Sequence, residues 1–183
     1  MTIVSRLLPL CLASLLPLGG QRTKTEVVKP TTEYHDSKAN DPAVPDVYAI
    51  AGRFERVLIL RLKYQTDLLE GLEKMIRQHK IKNAVILSGI GSVRNYHIHS
   101  VSNRTFPSKN VFIKDAATPA DIISMNGYVL NGRLHPHITL TNGEAAFGGH
   151  LESGTNVFTF AIVTLGILPD DLDLSRLDDK THR

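Results

Sequence analysis

Hydrophobic and polar positions change their rhythm several times along the chain, and each change marks an element. Leu7-Leu8-Pro9-Leu10-Cys11-Leu12-Ala13-Ser14-Leu15-Leu16 is almost wholly apolar, stands behind the single charge of Arg6, and ends at Pro17 and Gly19-Gly20. A basic start followed by a short apolar core has the layout of an export leader, and the run is too short to span a bilayer comfortably. Residues 1–20 are therefore expected to be a signal peptide, which implies a periplasmic or secreted protein with no membrane span once mature. An N-terminal anchor or an apolar cytosolic tail, and so a cytoplasmic protein, is the alternative. Residues 21–52 turn polar, with Pro30, Pro42 and Pro45 among Lys, Thr and Asp, and read as a linker or a surface arm.

The folded part starts near Tyr48, and Arg53 to Lys63 contains Val57-Leu58-Ile59-Leu60, a run suited to a buried strand. Thr66-Asp67 offers a helix N-cap, and Leu68, Leu69, Leu72, Met75 and Ile76 then fall on one stripe, with Glu70, Glu73, Lys74 and Arg77 facing outward. Ala84-Val85-Ile86-Leu87 is a second buried strand. Ser88-Gly89-Ile90-Gly91-Ser92 reads as a tight strand-to-strand turn, with glycines where a side chain would clash. Strands follow at 93–101, 111–113, 122–130, 134–140, 145–151 and 156–166, and the acidic tail 169–183 is expected to be loosely held. One main helix on many strands predicts an α+β (α/β) domain over 53–168 with a mixed, mostly antiparallel sheet.

Composition narrows the partners. A hydrophobic fraction of 42% is enough for a core. The net charge of +3 comes from 21 basic and 18 acidic residues mixed along the chain, without the basic stripe of a dedicated nucleic-acid binder. Cys11 is the only cysteine and lies in the expected leader, so a mature chain would have neither disulfides nor thiolate ligands. Any metal must rest on His, Asp or Glu. The glycines of 88–92 make a poor phosphate loop, because no third glycine and no Gly-Lys-Ser/Thr follow.

The chemistry concentrates in 132–151. Asn142-Gly143 is a strong hairpin pattern, since a type I′ turn needs positive φ at both central residues. A tight turn there sets Thr141 opposite Glu144, His137 opposite Gly148 and His135 opposite His150. Alternation then places His135, His137 and His150 on one face, with Gly148 and Gly149 leaving room for a ligand. Three neutral imidazoles suit a zinc ion and leave a fourth position for water or substrate. Individually hydrogen-bonded histidines are the plainer alternative. Glu152 would share the face if the strand continues, as general base or as a partner behind the ligands, whereas Glu144 is expected to be exposed at the turn. Arg94 is expected to be solvated, with carboxylate binding as its other use. His97 and His99 form a second His-x-His pair with no third ligand evident nearby, and read as surface or interface residues.

These residues resemble the PPC domain, the plants-and-prokaryotes conserved domain. The likeness rests on Leu68-x-x-Gly71-Leu72, Leu87-Ser88-Gly89-Ile90-Gly91-Ser92, His135-x-His137 and Gly148-Gly149-His150-Leu151, and covers about 53–168. It implies a curved-sheet fold that assembles as a homotrimer, with zinc held by His135, His137 and His150. The arrangement is also similar to the zinc site of acetolactate decarboxylases. The resemblance carries a DNA-binding expectation too, although this chain has no Arg-Gly-Arg-Pro hook. Three functions stay open: a zinc site acting on or sensing a small oxygen-rich molecule, a DNA-binding protein, and a trimeric scaffold with a structural metal.

Overall fold

The computed structural model describes residues 22–28, 41–104 and 108–177; the expected leader lies outside them. The elements are β1 (Thr23–Val28), β2 (Arg56–Lys63), α1 (Leu68–Gln78), β3 (Ala84–Val101), β4 (Lys109–Asp115), β5 (Ala120–Leu130), β6 (Arg133–Thr141), β7 (Ala146–Leu151) and β8 (Asn156–Ile167). Among the described residues no helix is long and apolar enough to cross a membrane.

The helix forms as its pattern predicts. The Asp67 carboxylate accepts the Glu70 N–H at 3.1 Å, which satisfies one of the donors left open at a helix start. Leu68, Leu72 and Ile76 are buried on the stripe, and Leu69 and Met75 pack partly against the same core. Each fully buried side chain of this kind contributes roughly 1.5–3 kcal/mol, so tertiary packing holds the helix more than its own propensity does. It lies against β2 and β8.

The expected turn at 88–92 does not exist. The chain runs through it as one strand, β3, of 18 residues. The glycines are used as anticipated but inside a continuing ladder: a Cβ on Gly89 would lie 2.5 Å from Met125 Cβ, and one on Gly91, at φ +142°, would lie 2.2 Å from the Phe160 carbonyl oxygen. The close approach is taken up as bulges, with register shifts against β8 at Ile86/Ser88, Gly91/Val93 and Val93/Asn95.

Strand β3 organises the sheet. Its first half pairs with β5 and β8 and its second half with β4 and β7, while β6 joins β5 to β7. The ladders β3–β5–β6–β7–β3 thus close on themselves and curl the sheet around Val93, Ile98, Met125, Val129, Ile138 and Leu140, all at most 2% exposed. Every ladder is antiparallel. The outer face of β2, β3 and β8 leaves Val57, Ile59, Leu87, Ile90, Phe158 and Phe160 exposed.

The described parts of both flanking segments are more ordered than their polarity suggests. Within the expected linker, Thr23–Val28 pairs with β4 as an edge strand. Within the expected loose tail, the Asn83 amide donates to the Pro169 and Leu172 carbonyls at 3.2 and 3.0 Å, Lys82 Nζ donates to the Asp170 carbonyl at 2.6 Å, and Leu174 is buried. Among the described residues, backbone carbonyls and one leucine, rather than the acidic side chains, tie the tail down.

Candidate metal centre

Strands β6 and β7 bring the three histidines together, through a register different from the expected one. The Asn142 side chain accepts the N–H groups of Glu144 and Ala145 at 3.0 and 2.9 Å, and its own N–H donates to the Ala145 carbonyl at 3.1 Å. Neither Asn142 nor Gly143 has positive φ. The tip therefore lies at Gly143-Glu144, one residue later than a type I′ turn on Asn142-Gly143. Thr141 faces Ala146 and His137 faces His150, in place of His135. Moving the tip by one residue changes each opposite number by two, and two steps along a strand return to the same face. The convergence survives for that reason.

Each of His135, His137 and His150 offers a ring nitrogen within 4.8 Å of the others'. The Nε2 atoms of His135 and His137 are 3.3 Å apart. Two nitrogens bound at about 2.05 Å to a tetrahedral ion lie about 3.3 Å from each other, so this pair already has the spacing of one edge of a zinc tetrahedron. The rings of His135 and His137 are nearly parallel, at 6°, and His150 stands across both at 85° and 88°. Burial, then the neighbouring imidazoles of His135 and His99, hold the pKa of His137 below the usual histidine range, which keeps this ring neutral and ready to ligate at neutral pH.

The glycines beside the cluster serve the backbone rather than a ligand. A Cβ on Gly148 would lie 2.3 Å from the Ile138 carbonyl oxygen, and one on Gly149 2.3 Å from that of His99. They let β7 press between β6 and β3. That contact brings in a residue whose role was not evident from sequence. His99 pairs with His150 across β3 and β7, their ring centroids are 4.7 Å apart, and His99 Nδ1 lies 2.5 Å from a Glu152 carboxylate oxygen. His99 thus stands behind the cluster rather than at an unrelated surface. The signal for it was only its His-x-His spacing, because the pairing joins residues far apart in the chain. His97 turns elsewhere, with Nδ1 at 2.8 Å from the Ser153 carbonyl.

Strand β7 ends at Leu151, so Glu152 does not continue the histidine face; its carboxylate is engaged with His99. Arg94 donates to the Tyr64 hydroxyl at 3.0 Å and lies over that ring, while Glu144 is exposed at the hairpin tip. Neither borders the cluster. What does border it is a cavity of about 530 Å³, which His99 and the three clustered histidines line together with Asn110 and Arg133.

Comparison with known proteins agrees with this architecture. The metal-containing protein AF0104 from Archaeoglobus fulgidus is 26% identical at a TM-score of 0.55, over 66% of this chain and 86% of that one. A plant- and prokaryote-conserved (PPC) protein from Pyrococcus horikoshii is 24% identical at 0.54, over 67% and 85%. A protein of Bacteroides thetaiotaomicron, provisionally named DNA-binding, is 19% identical at 0.52, over 66% and 83%. Against curated protein sequences the chain has no match. The Plants and Prokaryotes Conserved (PCC) domain matches residues 49–169, the stretch that carries β2 through β8 and the whole histidine cluster, and the chain belongs to that family.

Proposed function

We propose that this domain binds one zinc ion through His135, His137 and His150 and offers the ion's open side to a small oxygen-rich molecule. The observation that carries the reading is the 3.3 Å separation of two Nε2 atoms, with a third imidazole inside the 4.8 Å limit. An all-nitrogen set of three ligands is the donor set of zinc sites that keep a position free. The metal-containing relative from Archaeoglobus fulgidus supports an ion here. When bound, such an ion polarises oxygen ligands and makes bound water more acidic.

The chain's own residues prepare the place. His137 is held neutral by its surroundings. Glu152 fixes His99 through Nδ1, and His99 in turn backs the ring of His150, so Glu152 acts as a positioning residue rather than at the cavity itself. The exposed Val57, Ile59, Phe158 and Phe160 support assembly with further copies of the chain, the trimer that the family resemblance implies. The apolar run of 7–16 supports export.

Elemental analysis of the purified protein beside a His135→Ala/His150→Ala double variant tests the site. About one ion per chain is expected in the first and almost none in the second; equal metal content would end the proposal. Export predicts a mature N-terminus near Gln21 in a periplasmic or secreted fraction, and an intact leader on a cytosolic protein would exclude it. A DNA-binding reading, which the Bacteroides thetaiotaomicron neighbour's name favours, predicts instead salt-sensitive retention on immobilised DNA.

A further inference from the structure

The cavity beside the histidine cluster contains a polar side chain that the chain itself leaves unused. Asn110 is 3% exposed and lines this cavity, and neither its amide nitrogen nor its amide oxygen has a hydrogen-bond partner among the described residues. Buried amides are nearly always partnered. Register fixes where this one stands. Asn110 lies opposite Val101 and Phe112 opposite His99, while His99 lies opposite His150. Residues directly opposite one another, and those two apart on a strand, share a face. Asn110 is therefore on the face of His99 and His150, two strands from His150 and two residues along, roughly 12 Å between Cα atoms at ordinary strand spacings. The rings of His99 and Phe112, 4.9 Å apart, confirm the shared face. The opposite end of the cavity lies beyond His135, where Leu130 and Leu134 flank the turn from β5 to β6 and Leu174 closes in from the tail. Arg133 is at that end as well, but it is already engaged within the chain, and no ligand contact is assigned to it. The space of about 530 Å³ falls in the usual range for small organic ligands; it is polar at one end and aliphatic at the other, with the histidines between.

We infer that the cavity binds a small neutral molecule bearing a primary carboxamide and a short aliphatic chain, with the carboxamide on Asn110 and the chain along the leucines. An asparagine side chain carries a donor and an acceptor side by side, the edge with which it makes paired hydrogen bonds to the adjacent acceptor and donor of adenine. A carboxamide presents the same pair reversed, so two parallel bonds satisfy both groups at once. A carboxylate would leave the amide oxygen unmet, and a lone carbonyl would do the same; either omission carries the cost of a buried polar group without a partner. Neither the Asn110 contact nor the leucine contact requires an ion on the histidines, so this assignment and the metal reading fail separately.

NMR titration of the isotope-labelled protein, at its measured metal content, tests this with three probes: pentanamide, N,N-dimethylpentanamide, which has no N–H, and acetamide, which has no chain. Pentanamide is expected to bind at least about tenfold tighter than either, the size of one good hydrogen bond in the first case and of a partly buried chain in the second. It should also move one side-chain amide pair that is missing from the spectrum of Asn110→Leu. In that variant the preference for pentanamide over its dimethyl analogue should vanish while metal content stays unchanged. Leu174→Ala should weaken pentanamide about fivefold and leave acetamide as it was. If Asn110→Leu does not fold, the probe comparison on the unmutated protein and the Leu174→Ala variant still decide. Equal binding of pentanamide and N,N-dimethylpentanamide, a preference that survives Asn110→Leu, undiminished pentanamide binding by Leu174→Ala, or no binding of any probe would each overturn the inference. Absence of metal from the unmutated protein, with probe discrimination intact, defeats the metal reading alone.

Discussion

His135-x-His137 on β6 and His97-x-His99 on β3 share one spacing and end in different surroundings. The first pair sets two Nε2 atoms 3.3 Å apart and meets a third imidazole across the ladder to β7. The second pair is spoken for through its Nδ1 atoms, His97 by the Ser153 carbonyl and His99 by the Glu152 carboxylate. Alternation along a strand guarantees only that two rings share a face. Whether they become a ligand set depends on what engages their nitrogens: His150 borders both pairs, but a carbonyl and a carboxylate already occupy the second.

The sharpest way to break this comparison is to remove one histidine from each side. His150→Ala should take metal from about one ion per chain to nearly none, while His97→Ala leaves it in place; elemental analysis that finds the two alike would erase the distinction. Next comes Gly149→Ala, whose methyl would meet the His99 carbonyl oxygen at 2.3 Å. Prising β7 from β3 should cost about 1–3 kcal/mol in urea unfolding and weaken metal retention as well. Gly143→Ala, with nothing within 4 Å, should stay within about 0.5 kcal/mol. Glu152→Gln leaves all three ligands but loosens His99 behind His150; metal affinity, read by competition with a chelator, should fall by about tenfold, the low end for groups that orient ligands indirectly.

The smallest effect concerns pH. The folded-state pKa of His137 lies below its unfolded value of about 6.5, through burial and then through His135 and His99. The unfolded chain therefore takes up a proton first as pH falls, and the metal-free protein loses stability from about 6.5 down to the depressed folded value. His137→Asn should flatten that part of the stability curve, and an unchanged slope would contradict the assignment.

Local pattern made the helix, the strands β4 to β8 and the shared face of three histidines legible, because each depends on period and on nearest neighbours. Turn chemistry was less transparent. Asn131-Gly132 and Asn142-Gly143 are the same dipeptide, yet only Asn131-Gly132 has positive φ at both residues, +51° and +78°, joining β5 to β6. At the other, the Asn142 side chain captures two backbone N–H groups and moves the tip by one residue. The contact between His99 and His150, and the passage of β3 through Gly89 and Gly91, depend on strands distant in sequence, and nothing in the immediate neighbourhood of those residues announces them.

Leu174 and Ser175 face the cavity, yet the PCC match ends at residue 169. The ion's three candidate ligands therefore come from the shared domain, while part of the enclosure around them comes from an appendage beyond it. A chain cut after residue 169 would keep the imidazoles and lose a side of the chamber, so what the centre admits can be altered by exchanging a few terminal residues, without disturbing the strands that build it.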